Sequence, residues 1–365
     1  MDNKLYENSL VKLSITDLLS CLKESNKKDI FKQSIPPKFY NKIIETMRNE
    51  STIISLRGFH NWIKRTLISN ITNIVSESKK NKKLSLLDIA VGRGGDIDKW
   101  NKAGINYVFG FDKSYKAINS FDEDDPGAKS RYNSYINNNN NLSLIDVKFE
   151  IGDATICSDE LLNSIVSFVN THGLFQIVSC QFALHYIFKS PDSLIIPMRL
   201  ISKFLDYGGY FIGTAPDGKK IQNLFKNTSS KIYTNSLFKI QRNFNKKLSK
   251  DAIYGNEYTF TIYDVKDQTN YFNTIGISTE YLVDFNELDK IARSVGLEPV
   301  KLNLFESYKS DNKFKYTNLN NFISFEDIYG MSKWKPNSKK SEKELSPDEQ
   351  ELNSLYTVFI YKKIK

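Results

Sequence analysis

Five short apolar runs separated by helical patterns constrain this chain more than any other feature. They are "LSLLDIA" from Leu84, "NYVFGFD" ending at Asp112, "VKFEIGD" ending at Asp153, "LFQIVSC" from Leu174 and "YFIGTAPD" from Tyr210. Apolar runs this short are buried strands. Between them lie segments such as "DIDKWNKA" and a helix from Asp192 to Leu205, so strand and helix alternate. That alternation predicts an α/β fold with a mostly parallel, doubly wound sheet. Ligands of such sheets bind outside the carboxyl ends of the strands. The acids Asp112 and Asp153 and the polar Gln181 all fall there, along one rim.

The first strand runs into a glycine cluster, "AVGRGGD", which brings backbone amides close to a ligand. A dinucleotide fingerprint needs glycine or alanine three residues after Gly94, and Ile97 stands there instead. The alternative is S-adenosylmethionine, whose amino-acid part carries a carboxylate and an ammonium. Gly92, Gly94 and Gly95 suit the carboxylate, Asp88 the ammonium, Asp112 the two ribose hydroxyls and Asp153 the adenine amine.

The 365-residue chain as a whole sets limits. Cys21, Cys157 and Cys180 are far apart, and with His60, His172 and His185 as the only histidines no zinc or disulfide framework is expected. No apolar run is long enough to span a bilayer, and "MDNKLYENSL" lacks the apolar core of a signal peptide, so a soluble intracellular protein with no membrane partner is expected. The formal net charge of +9 favours a polyanionic partner such as RNA, although asparagine and lysine are abundant everywhere. One domain is expected over 35–365, after a polar appendage at 1–34. Within it, 218–279 reads as an inserted β-rich flap, 335–351 as an exposed loop, and "TEYLVDFNELDKIARSVGLEPVKLNLF" as strand, helix and strand. The asparagine run near 137–141 reads as a flexible insertion.

Taken together and in this order, "SLRGFHNWIK", "LLDIAVGRGGDIDKW", "FGFD", "CQFALHYIF", "GGYFIGTAPD" and "TEYLVDF" resemble the mRNA cap guanine-N7 methyltransferases. The resemblance implies a Rossmann-like class I methyltransferase with a seven-stranded, mostly parallel sheet flanked by helices. It assigns Lys64, Gly92, Asp112, Asp153, Gln181 and Tyr186 to S-adenosylmethionine, beside the Asp88 and Gly94 already read from the loop. To the cap it assigns His60, Asn61, Arg93, His185, Pro216, Glu280 and Tyr356. His60 stands where the family has asparagine, Ala90 and Val91 replace its glycine and cysteine, and Arg93 replaces lysine.

Guanine N7 is an unprotonated lone pair at neutral pH, so direct in-line methylation needs neither metal nor general base. Two alternatives stand beside it: a non-catalytic RNA-binding or activating subunit, and a methyltransferase for another small substrate. By residue type alone Phe182, Tyr186 and Tyr356 are core, His185 an interior histidine and Glu280 an exposed strand residue. Implied partners are GpppN-capped RNA and a guanylyltransferase/triphosphatase or RNA polymerase, with the chain a monomer. The implied location is the nucleus for a cellular enzyme, and host cytoplasm or virion for a viral one.

Overall fold

The computed structural model describes residues 53–79, 83–122, 126–138, 145–249, 252–263, 278–302, 304–305, 322–331, 334–337 and 342–364. The appendage expected at 1–34 lies outside them.

The described chain opens with α1, Ile54–Ser78, whose buried residues Leu56, Phe59, Ile63, Leu67, Ile71 and Val75 recur at helical spacing. Each fully buried side chain of this size contributes roughly 1.5–3 kcal/mol. Strand β1, Ser85–Ile89, is buried at every position, as expected of a central strand covered on both faces. There follow α2 (Ile97–Lys102), β2 (Tyr107–Asp112), α3 (Tyr115–Asn119), α4 (Ala128–Asn138) and β3 (Asp146–Ile151). Helix α4 takes in the first two asparagines of the run expected to be a flexible insertion; residues 139–144 lie outside the description. Next come α5 (Asp159–His172), β4 (Phe175–Gln181), a 3-10 turn (Leu184–Tyr186), α6 (Pro191–Phe204) and β5 (Leu205–Pro216). Ser158 and Ser190 cap α5 and α6 through their hydroxyls, and Gly173 ends α5 with φ 83°.

The insertion begins with α7 (Gly218–Leu224) and forms an antiparallel sheet of β6 (Ile232–Thr234), β7 (Phe238–Arg242), β8 (Glu257–Ile262) and β9 (Ser278–Tyr281). It therefore extends past 279, and β9 pairs with β8 rather than restoring the main alternation. The chain returns through α8 (Phe285–Ser294) and β10 (Leu297–Pro299), then β11 (Phe322–Ser324), α9 (Phe325–Met331), α10 (Pro347–Ser354) and β12 (Tyr356–Lys363).

The main sheet runs β10-β12-β5-β4-β1-β2-β3, with β11 on β12 as an eighth strand beside the expected seven. Pairs among β1 to β5 are parallel, whereas β12 is antiparallel to β5, β10 and β11. The chain winds outward from β1 to β3 and then crosses to β4 and β5. Strand order thus reverses between β1 and β4, which opens a crevice at their carboxyl ends.

One further expectation fails. The polar stretch 335–351 is not simply an exposed loop, because it buries Leu345 and Glu349 and its end opens α10, which buries Leu352 and Asn353 just beyond it. The buried Glu349 completes a capping box with Ser346, and its Oε1 also accepts the backbone N–H of Leu56 at 3.2 Å. A carboxylate that serves two helix ends has no need of water.

Candidate functional site

Three positive φ angles within five residues shape the loop leaving β1: Ala90 at 59°, Gly92 at 56° and Gly94 at 69°. Only glycine adopts this region without strain, so Ala90 is held there by its surroundings. Part of that hold comes from β2. Val91 N–H donates to the Phe111 carbonyl at 3.0 Å, and Gly92 N–H donates to Asp112 Oδ2 at 2.9 Å. The other oxygen of Asp112 accepts Ser114 N–H at 2.8 Å. Burial raises the pKa of Asp112, opposed by those two N–H donors. The carboxylate is thereby fixed at the rim, and each oxygen retains a lone pair for a hydroxyl. Val91 is buried, and its bulk fits because β2 offers Gly110, where a Cβ would lie 3.1 Å from Val91 Cγ2.

Lys64 on α1 reaches the same loop, where its Nζ donates to Asp96 Oδ1 at 2.7 Å. Lys99 pairs with that oxygen at 2.8 Å and donates to the Gly95 carbonyl at 3.0 Å. Burial would raise the carboxyl of Asp96, but the two lysines overcome it and hold the pKa at about 2. Two lysines around one acid leave a net positive charge beside the loop amides, which suits a carboxylate. Asp88, nearby on β1, is the opposite case. Burial and then the charge of Asp96 push its pKa well above the usual carboxylate range, against a hydrogen bond from Ser179. An ammonium group there would supply the counter-charge Asp88 needs. The residues present therefore fit an amino-acid zwitterion.

The other strand ends are ordered in the same manner. Asp153 Oδ1 accepts both the N–H and the hydroxyl of Thr155, at 2.8 and 2.7 Å. Gln181 Oε1 accepts the Thr214 hydroxyl at 3.2 Å, while its Nε2 donates to Ser179 Oγ at 3.3 Å. Phe182 follows with φ 54°, and its N–H donates to the Thr214 carbonyl at 2.9 Å.

A second group forms where the inserted sheet meets the 3-10 turn. Tyr258 Oη donates to Glu280 Oε2 at 2.7 Å, and His185 Nε2 lies 3.7 Å from Glu280 Oε1. All three residues are buried. Burial lowers the pKa of His185, with Glu280 opposing, so the ring is neutral at pH 7; neither ring nitrogen has a hydrogen-bond partner among the described residues. Tyr186 shares a 3.1 Å hydrogen bond with Ser278 Oγ, and Lys113 Nζ sits 5.7 Å from its ring centroid. Tyr356, opposite Pro216 in the pairing of β12 with β5, has its acidity suppressed by burial and then by the charge of Glu280.

The expected cap residues do not all meet. His60 is packed into aromatics, stacked 5.2 Å from Phe182 with Phe325 at 5.2 Å and Tyr356 at 5.5 Å. Asn61 is half-buried beside it on α1. Arg93 is buried, and its Nη1 donates to the Pro126 carbonyl at 3.3 Å. Sequence reasoning overlooked Asp96, Lys99 and Tyr258. Asp96 had a signal, the acid closing "GRGGD"; Tyr258 had none, because only the pairing of β8 with β9 sets it against Glu280.

A cavity of about 460 Å3 lined by Lys83, Tyr107, His172, Gln176 and Asp206, among others, lies at the opposite end of the sheet, where β2 and β4 begin. It contains none of the expected residues. Among the described residues no cluster of three or more His, Cys, Asp or Glu has metal-binding geometry, and no helix is long and apolar enough to cross a membrane.

The family model of the mRNA (guanine-N(7))-methyltransferase domain matches residues 23–364. The mRNA cap guanine-N(7) methyltransferase of Drosophila melanogaster is 26% identical over 89% of this chain and 76% of its own length. That of Schizosaccharomyces pombe is 27% identical over 87% and 77%. That of Saccharomyces cerevisiae is 30% identical over 87% and 66%. Among solved structures, an S-adenosylmethionine-dependent methyltransferase from Clostridium acetobutylicum covers 81% of this chain and 90% of its own, at 12% identity and a TM-score of 0.43.

Proposed function

The chain belongs to the mRNA (guanine-N(7))-methyltransferase family, which moves a methyl group from S-adenosylmethionine to the guanine of capped RNA, and from that premise we propose how its residues divide the work. Asp112 receives the ribose hydroxyls and Asp153 the adenine amine, with Gln181 and Tyr186 bounding the crevice. Gly92, Gly94 and Lys64 receive the carboxylate, with Asp96 and Lys99 setting the position of Lys64. Asp88 takes the ammonium. On the cap side Glu280 accepts the N1 and N2 hydrogens of guanine, His185 and Tyr356 frame the base, and Arg93 attends the phosphates. His60, Asn61 and Pro216 complete the wall.

S-adenosylmethionine supplies a methyl whose C–S bond breaks as the N7–C bond forms, the bonding pair leaving on sulfur. N7 carries no proton to remove, so the residues contribute alignment and charge complementarity rather than acid–base chemistry. Guanine gains a positive charge in the transfer. The negative Glu280 favours that charge, and a neutral His185 does not oppose it.

The observation that carries this reading is the buried Glu280 carboxylate held between Tyr258 and His185. Its test is to incubate the protein with methyl-labelled S-adenosylmethionine and GpppA-RNA and to identify the labelled atom after nuclease digestion. N7 is expected. Label on a ribose hydroxyl or on adenine would overturn the reading. Because the relatives come from cellular eukaryotes, the same reading puts the enzyme in the nucleus, as a monomer acting beside a guanylyltransferase/triphosphatase or RNA polymerase.

A further inference from the structure

Tyr258 and Glu280 face each other across the antiparallel pair β8–β9. Directly opposed residues project to the same side of a sheet, so the phenol and the carboxylate meet without any loop to position them. Tyr258 is 1% exposed and Glu280 6%, and Tyr258 Oη lies 2.7 Å from Glu280 Oε2. The bond is of ordinary hydroxyl length, and its acceptor, a carboxylate, makes it charge-assisted. The second oxygen, Oε1, faces His185 Nε2 at 3.7 Å, beyond hydrogen-bond length.

The direction of the Tyr258 bond is fixed. Burial and the adjacent carboxylate push the acidity of the phenol far from neutral pH, so Tyr258 can only donate to Glu280. Glu280 in turn can only accept. With Oε2 tethered, the carboxylate plane cannot rotate to follow a single donor, and the remaining lone pairs stay in one orientation. A ligand edge with two adjacent N–H donors satisfies both oxygens. One with a single donor leaves a buried carboxylate oxygen without a partner, which is where such sites discriminate most strongly.

We propose that Tyr258 is a positioning residue that sets the orientation of Glu280, and that this fixed orientation is what makes the site demand the N2 amine of guanine as well as N1–H. The inference rests on the assignment of Glu280 to the guanine edge made above. Without the tether, Glu280 turns to optimise one bond and the second counts for less. Tyr258 thus touches no substrate, yet governs which base is accepted.

The experiment compares GpppA-RNA with IpppA-RNA, whose terminal inosine lacks the N2 amine, in wild type, Tyr258→Phe and Glu280→Gln. The readout is the ratio of kcat/KM for the two caps, which does not depend on how much of a variant is folded, together with the calorimetric Kd for S-adenosylmethionine. For Tyr258→Phe, kcat/KM for the guanosine cap should fall about ten- to a hundredfold, and the guanosine/inosine ratio should shrink by about tenfold, the worth of one charge-assisted hydrogen bond. Cofactor affinity should not change. If Tyr258→Phe keeps the wild-type ratio while Glu280→Gln flattens it, Tyr258 only fills the inserted sheet and the inference is overturned with the Glu280 assignment intact. If Glu280→Gln leaves cap methylation and the ratio untouched, the assignment itself fails.

Discussion

At position 60 the chain carries a histidine whose ring has been absorbed into a cluster with Phe182, Phe325 and Tyr356. Its surroundings keep it neutral: burial lowers its pKa to about 3, with the Asn353 amide opposing and Lys64 adding to the shift. A histidine with a depressed folded-state pKa takes up protons more readily when unfolded. Its contribution to stability is therefore complete above about pH 6.5 and is lost as pH falls from there toward 3. At pH 5 the loss from His60 amounts to about 2 kcal/mol. His185 acts in the same direction, whereas Asp88 and Asp112, with raised pKa values, act in the opposite one. The difference between wild type and His60→Asn isolates the one group. Urea unfolding at pH 7 and pH 5 should give a stability loss about 2 kcal/mol smaller in the variant. Equal losses in both proteins would mean that His60 is protonated in the fold or solvated.

Among elements, those with local signals were legible and those built by distant partners were not. The runs from Leu84 and up to Asp112 announced β1 and β2, because parallel strands buried on both faces leave continuous apolar sequence, whereas β3, at the sheet edge, mixes polar and apolar residues and buries only Phe149. The sheet membership of β9 was not legible, since "STEY" offers alternation but no clue to its neighbour. Helix α10 escaped for a different reason. Its buried residues include a glutamate and an asparagine, and a carboxylate that caps helices reads in sequence as a solvated charge. Glu349 Oε1 accepts Leu56 N–H in α1, and Oε2 accepts Ser346 N–H at 2.9 Å. Helix α1 has no side-chain cap of its own at Ile53. Since α1 also carries Lys64, Asn61 and His60, a residue in the far C-terminal part of the chain supports the helix that reaches the glycine loop. Glu349→Ala leaves two N–H groups without acceptors and should destabilise the fold by about 2–4 kcal/mol in denaturant titration. Cofactor affinity should weaken with it. A change below about 0.5 kcal/mol, as for an ordinary surface position, would show the shared cap to be idle.

For the molecule as a whole, the question is what a net charge of +9 does for an enzyme whose chemistry concerns one base. The guanine contacts proposed for Glu280, His185 and Tyr356 are buried and short-ranged, so salt should leave them nearly unchanged. The RNA behind the cap is different. Each phosphate held by a lysine or arginine releases condensed counterions, and affinity for a single strand then falls with the logarithm of salt at a slope of about 0.7 per phosphate. Four such contacts would weaken RNA binding about fiftyfold between roughly 50 and 200 mM salt. The free dinucleotide GpppA shares the triphosphate bridge, and with it the expected contact to Arg93, but has no transcript. Comparing KM for GpppA-RNA and GpppA across that salt range therefore separates the surface charge from the cap pocket. The advantage of RNA over dinucleotide should be large at low salt and shrink steeply as salt rises, with kcat on both substrates little changed. If the two KM values instead move in parallel, the basic excess does not guide the transcript and reflects only a lysine-rich composition.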